Sequence, residues 1–169
     1  MVRKKSGKGV EFGNKLLIVE NKTGLIVDYD FMKKQKNDSK LLIPIVKRVI
    51  KNHAENKIKP ITIDRGFVGK KNNNELEKKN IYNGICPRNV DELSEKLKDL
   101  NFQNYQKRRA QTEGRISILK NVFIGDVLRS KGFKNKERMI AIKIFVHNLL
   151  VILRLPKIDE VNISEKKIA

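Results

Sequence analysis

Cysteine is almost missing from this chain. Cys86 is alone among 169 residues, there is no tryptophan, and there are only four prolines and two histidines. A lone cysteine excludes an internal disulfide and fits a reducing interior. Two histidines and one cysteine, scattered along the chain, do not make a zinc site. Long apolar runs are missing too. The most apolar region, Met139 to Leu155, is broken by Lys143, His147, Asn148 and Arg154. It is too short and too polar to span a membrane and reads as a buried helix. The opening residues, Met-Val-Arg-Lys-Lys-Ser-Gly-Lys-Gly, lack the apolar core of a signal peptide. No internal repeat is visible.

Acidic residues are the scarcest class relative to their opposites. Asp plus Glu number 19 against 38 Lys plus Arg, a net charge of +19. A domain that basic repels itself and attracts polyanions. Nucleic acid is the first candidate, because neutralised phosphates release counterions. A membrane surface fits less well, since the cations are spread along the chain instead of lining one amphipathic helix. A lysine-rich, low-GC source would also account for the many Lys, Asn and Ile residues. The length suits one domain with a real core. Residues 1–9 read as a flexible basic arm, 10–156 as the domain and 157–169 as a polar tail.

Leu16 to Val19 and Leu25 to Val27 are aliphatic and β-branched runs around Asn21-Lys22-Thr23-Gly24, which predicts a β-hairpin. Asp38 or Ser39 can cap a helix that carries Leu42, Ile45, Val46, Val49 and Ile50 on one face, with Pro44 tolerated in its first turn. His53 closes that helix. Pro60 introduces a short strand, Ile61-Thr62-Ile63, followed at once by Asp64-Arg65-Gly66-Phe67. An Asn-rich turn, Asn72-Asn73-Asn74, leads into a short helix around Leu76. A strand from Ile81 to Cys86 stops at Pro87, with Cys86 packed as a small apolar residue. Leu93, Leu97 and Leu100 predict an amphipathic helix. A basic loop with Arg129, Lys131, Lys134, Lys136 and Arg138 precedes a last helix from about Glu137 to Leu153, ended by Pro156.

The stretch Tyr105 to Lys120 organises the rest. Wound as a helix, Arg109, Glu113, Ser117 and Lys120 share a polar stripe, and Ile116, Leu119 and Phe123 an adjoining apolar one. The bland account is a surface helix with i,i+4 ion pairs. The alternative is a metal-binding carboxylate beside phosphate-binding cations. Asp64 invites the same two accounts, as a turn former or as an acid at the carboxyl end of a strand, where α/β proteins commonly place chemistry. Carboxylates from a sheet edge and a crossing helix can hold a pair of Mg²⁺ ions roughly 3.5–4 Å apart for in-line phosphodiester attack.

Four stretches carry a family resemblance: Val10-Glu11-Phe12-Gly13-Asn14-Lys15; Ile63-Asp64-Arg65-Gly66-Phe67; Arg108-Arg109-Ala110-Gln111-Thr112-Glu113-Gly114-Arg115-Ile116 running to Lys120; and Lys131-Gly132-Phe133 with His147-Asn148-Leu149. In this order they resemble the C-terminal two thirds of a DDE-type transposase catalytic domain from bacterial insertion sequences. The resemblance implies an α/β, ribonuclease-H-like mixed sheet flanked by helices, with strand order 3-2-1-4-5. Asp64 would be the second catalytic acid and Glu113 the third, both ligands to two Mg²⁺ (or Mn²⁺) ions. Arg109 and Lys120 match the Tyr-x2-Arg-x3-Glu-x6-Lys signature as DNA-contacting cations, and Arg108 and Arg115 of the same stretch are counted with them. The signature tyrosine falls on Gln106, with Tyr105 one residue early.

The central first strand and its Asp are not found before Phe12, and Asp28 and Asp30 sit where they cannot replace it. The expectation is a truncated or split transposase that cleaves and joins DNA at insertion-sequence ends when completed. Its partners would be DNA and a missing N-terminal segment or full-length transposase, with no membrane, in a cytoplasmic, nucleoid-associated setting. The alternative is a non-catalytic, basic DNA-binding remnant.

Overall fold

The structure, a computed structural model, describes residues 3–5, 8–11, 14–34, 36–52, 60–125 and 130–154. The chain divides into two compact units, Met1–Leu17 with Asp30–Ile116 and Ile18–Tyr29 with Ser117–Ala169. The described strands form three separate two-stranded sheets instead of one mixed sheet. Beginning in the stretch read as an arm and running past it, β1 (Arg3–Lys5) pairs antiparallel with β2 (Lys8–Glu11), Arg3 opposite Glu11.

The predicted hairpin forms from β3 (Lys15–Glu20) and β4 (Ile26–Met32). Its turn is closed by Asn21, whose Oδ1 accepts from Thr23 N and Leu25 N, both at 3.0 Å. Gly24 stands there at φ +92°, where a side chain would be strained.

In the first unit, α1 (Leu42–Asn52) buries Leu42, Ile45, Val46 and Val49, as its apolar spacing predicts. Its entry differs from expectation. Asn37, not Asp38 or Ser39, is the capping residue; its Oδ1 accepts from Ser39 N at 3.2 Å and starts a 3-10 turn, Asp38–Lys40, ahead of the helix. Asp38 instead forms an ion pair with Lys15. His53 lies outside the described residues. The strand expected at 61–63 is β5 (Pro60–Ile61), and that expected at 81–86 is β6 (Tyr82–Asn83). The two are parallel, Pro60 opposite Tyr82 and Ile61 opposite Asn83.

Between them runs α2 (Lys70–Lys78), and it contains the asparagines read as a turn. Burial overrides the local turn preference here: Asn72 is inside, and its Nδ2 donates to the carbonyls of Ser39 (2.9 Å) and Phe67 (2.7 Å). Leu76 on the same helix is fully buried. α1 packs against α2, and α2 against β6. Cys86 is buried, as expected of a small apolar side chain.

The helix expected through Leu93, Leu97 and Leu100 is interrupted. α3 (Val90–Lys96) ends before Leu97, and α4 (Leu100–Ile118) begins a new helix. Leu97 and Leu100 are left exposed, while Phe102 is fully buried. The break follows from Asp99, which prefers to cap: its Oδ1 accepts from Asn101 N at 2.8 Å. Its Oδ2 accepts from the Tyr82 hydroxyl at 2.6 Å, so the first turn of α4 is tied to β6.

In the second unit, a π-helical turn (Leu119–Ile124) follows α4, and α5 (Phe133–Arg154) begins earlier than Glu137. Lys134, Lys136 and Arg138 therefore sit on a helix, not a loop; Arg129, Pro156 and the tail lie outside the described residues. Of the apolar stripe predicted at the end of the central helix, Leu119 is buried and Ile116 exposed. The Lys143 ammonium donates to the carbonyls of Phe123 and Ile124, the latter at 3.2 Å, which satisfies groups a helix end leaves open. Asn148 acts as a substitute strand for Ile26: it accepts from Ile26 N and donates to Ile26 O, both at 2.9 Å. His147 is buried beside it, with Nε2 3.4 Å from the Gly24 carbonyl.

Two measurements follow from these contacts. Asn72→Ala strands the buried Phe67 carbonyl and the half-buried Ser39 carbonyl and should cost roughly 1–3 kcal/mol in urea unfolding, whereas Asn74→Ala on the exposed face should stay within about 0.5 kcal/mol. The Tyr82–Asp99 bond sets a pH dependence. Burial first, then the bond to Asp99, pushes the Tyr82 phenol up to about 12. Its contribution is therefore complete below the ordinary tyrosine range of about 10 and lost as pH climbs through about 12. The bond from Tyr82, then that from Asn101 N, holds the Asp99 carboxyl low. Its contribution is present above the ordinary carboxylate range and lost as pH falls through the lowered value. A tyrosinate absorbance titration should show a late step that Tyr82→Phe removes.

Candidate active site

Asp64 stands three positions after the end of β5 and caps a 3-10 turn, Arg65–Phe67, by accepting from Arg65 N at 2.7 Å. The buried Phe67 ring anchors that turn, so the carboxylate is held at the end of the strand with its side chain in solvent. The turn-forming and site-bearing accounts of Asp64 are thus compatible.

Arg109 meets it from α4. Its Nη1 lies 2.8 Å from Glu113 Oε1, one turn further along the helix, and 3.6 Å from Asp64 Oδ1. One guanidinium therefore bridges two carboxylates that are distant in the chain. The acids are open to solvent, at 68% exposure for Asp64 and 59% for Glu113, while Arg109 is at 29%. As an exposed i,i+4 pair, Arg109–Glu113 contributes only about 0.3–0.5 kcal/mol, so the geometry matters here more than the energy. Arg109 Nε is buried with no hydrogen-bond partner.

Of the other residues singled out from the sequence, Arg108 and Arg115 are half-buried on α4 in the first unit. Lys120 is exposed on the π-helical turn of the second unit. The structure brings Asp64, Arg109 and Glu113 together.

Nothing in the linear sequence marks Tyr82, Gly84 or Asp99 as neighbours of this site, yet all three hold α4. The Tyr105 ring lies 5.1 Å from that of Tyr82. Gln106, standing where the signature has tyrosine, donates from Nε2 to the Gly84 carbonyl at 2.9 Å. The only hint in the sequence was the mismatch itself.

Asp64 and Glu113 are hard oxygen donors with negative charge, and they converge on a cation, so their chemistry suits Mg²⁺ or Mn²⁺. They are fewer ligands than a two-ion site takes: among the described residues no group of three or more His, Cys, Asp or Glu comes together. No helix of the described residues is long and apolar enough to cross a membrane.

Comparison with known proteins identifies the family. The family model of the transposase DDE domain matches residues 3–149, beginning inside the stretch read as a basic arm. A search of curated proteins and one of solved structures gave no significant match. The matched span covers β1 through most of α5, including Asp64 and Glu113, and implies a ribonuclease-H-like α/β fold. The chain belongs to the transposase DDE domain family, whose members work on DNA and generally use divalent metal ions.

Proposed function

We propose that this chain is part of a DNA transposase that cleaves and joins strands at insertion-sequence ends, with Asp64 and Glu113 as two of its metal-binding carboxylates. The observation that carries this reading is their convergence on Arg109 from the end of β5 and the middle of α4. Bound there, Mg²⁺ or Mn²⁺ would supply an activated water or DNA 3′-hydroxyl and charge neutralisation at the leaving oxygen.

The chain's own residues do the rest. Asp64 and Glu113 present oxygen ligands from two different elements, which fixes their separation by packing and not by one flexible loop. Arg109, with a planar fork of donors, steadies a phosphate of the strand being cut. Lys120, Arg108 and Arg115 neutralise further phosphates without reading bases.

The first acid of the set would come from a strand beside β5, supplied by an N-terminal transposase segment. Among the described residues β5 pairs with β6 alone, and such a strand would pair along its other edge. On this reading residues 10–156 are a partial catalytic domain, weak or inactive by itself, that works on DNA in the nucleoid. The net charge of +19 favours a second reading, a basic DNA-binding remnant without catalysis.

Mn²⁺ binding followed by electron paramagnetic resonance separates the two. Asp64→Asn and Glu113→Gln should each weaken Mn²⁺ binding at least tenfold; unchanged binding in both sinks the metal reading and leaves the remnant. DNA affinity should fall steeply with salt. Arg108→Ala and Arg115→Ala should each lower the slope of log affinity against log salt by about 1 while weakening all sequences alike. A slope identical to wild type removes that residue from the phosphate-contacting set.

A further inference from the structure

We propose that Gln106 is a positioning residue that sets the separation of Asp64 and Glu113, acting through the backbone of Gly84. The inference rests on the reading of those two acids as metal ligands.

Gln106, Arg109 and Glu113 follow one another at i, i+3 and i+7 and so share one face of α4. The Gln106 amide donates to the Gly84 carbonyl at 2.9 Å. Gly84 N in turn donates to the Ile61 carbonyl at 2.8 Å. Ile61 is the last residue of β5, and Asp64 follows it after two residues. Two hydrogen bonds therefore run from the helix bearing Glu113, through the single residue Gly84, to the strand that leads to Asp64. No side chain of the strands intervenes.

Gly84 can serve as this bridge only as glycine. A Cβ there would stand 2.7 Å from the Ile61 carbonyl oxygen and 2.8 Å from Thr62 Cγ2. Both are closer than such contacts tolerate, and the first is to backbone, which cannot turn aside. The close approach of β6 to β5 and the reach of Gln106 thus belong to one arrangement. Other contacts bind the helix nearer its start, through Asp99 to Tyr82 and Tyr105 to Tyr82. Gln106 ties the helix to Gly84 one turn before Arg109. Without its bond, α4 loses the backbone tie between the turn that carries Arg109 and the strand that leads to Asp64. An ion held by both carboxylates loses affinity when their spacing is no longer preset, because it must then restrict the helix itself. A side chain that orients ligands without touching the metal typically changes affinity 10–100-fold.

The test uses the full chain and two readouts. Spin labels at Lys70→Cys and Ala110→Cys, in a Cys86→Ser background, report the spacing between the Asp64 side and α4 by double electron–electron resonance. Mn²⁺ affinity reports the site. Gln106→Met, similar in size and without a donor, should broaden the distance distribution and weaken Mn²⁺ binding roughly tenfold or more. Far-UV circular dichroism and the melting midpoint should stay near wild type, which a loss of folding would not allow. Gly84→Ala should reproduce the loss, and the double variant should be little worse than either single one, since both break one path. A wild-type chain that binds Mn²⁺, with Gln106→Met unchanged in affinity and spacing, overturns the inference alone. A wild-type chain that binds no Mn²⁺ overturns the metal reading, and this inference with it.

Discussion

The arrangement of the first unit depends on how the middle of α4 is held against the ends of two very short parallel strands. β5 and β6 have two residues each, too few for a ladder to define their own position. Side chains and single backbone bonds from the neighbouring helices do that work instead. α2 packs on β6 from between the strands, Tyr82 reaches the cap of α4, and Gln106 reaches the Gly84 carbonyl. The consequence is that Asp64 and Glu113, carried by different elements, face one guanidinium.

The electrostatics of that meeting are modest in energy but specific in direction. Two carboxylates converging in a chain of net charge +19 would be pulled apart by the many competing cations, or repelled from each other by about 1 kcal/mol at 4 Å in water. Arg109 offsets both effects by placing one positive charge beside each acid at once. Its planar fork suits two oxygens approaching from different sides, which a lysine ammonium would not hold in one fixed orientation. The same property suits a phosphate. A residue of this type at this point is consistent with a surface whose partner is a polyanion.

The second unit shows the same economy of backbone satisfaction. Lys143 occupies carbonyls at the end of the π-helical turn, and Asn148 completes the bonding of Ile26 as a strand neighbour would. The His147-Asn148 pair, a motif shared with the transposase resemblance, is therefore explained here by packing: one residue is buried against the turn of the hairpin and the other pairs with its strand. π-helical turns often accompany functional sites, and the one in this chain carries Lys120.

From the sequence alone, the hairpin around Asn21–Gly24, the buried face of α1 and the polar stripe of α4 could be read, because each depends on neighbours a few residues apart. Motif order also singled out Asp64 and Glu113, and it pointed to the family whose model matches residues 3–149. What tertiary structure decided is where local preference lost or had nothing to say. Asn72 left its turn for a helix because the buried Phe67 carbonyl and the half-buried Ser39 carbonyl needed its amide. The helix predicted through Leu93 to Leu100 broke because Asp99 could satisfy Asn101 N and Tyr82 together. The bond from Gln106 to Gly84, and the meeting of Asp64 with Arg109, join segments whose separation in sequence leaves no periodic trace. Which distant backbone groups remain to be paired is settled only after the elements pack, and that choice placed the two acids together.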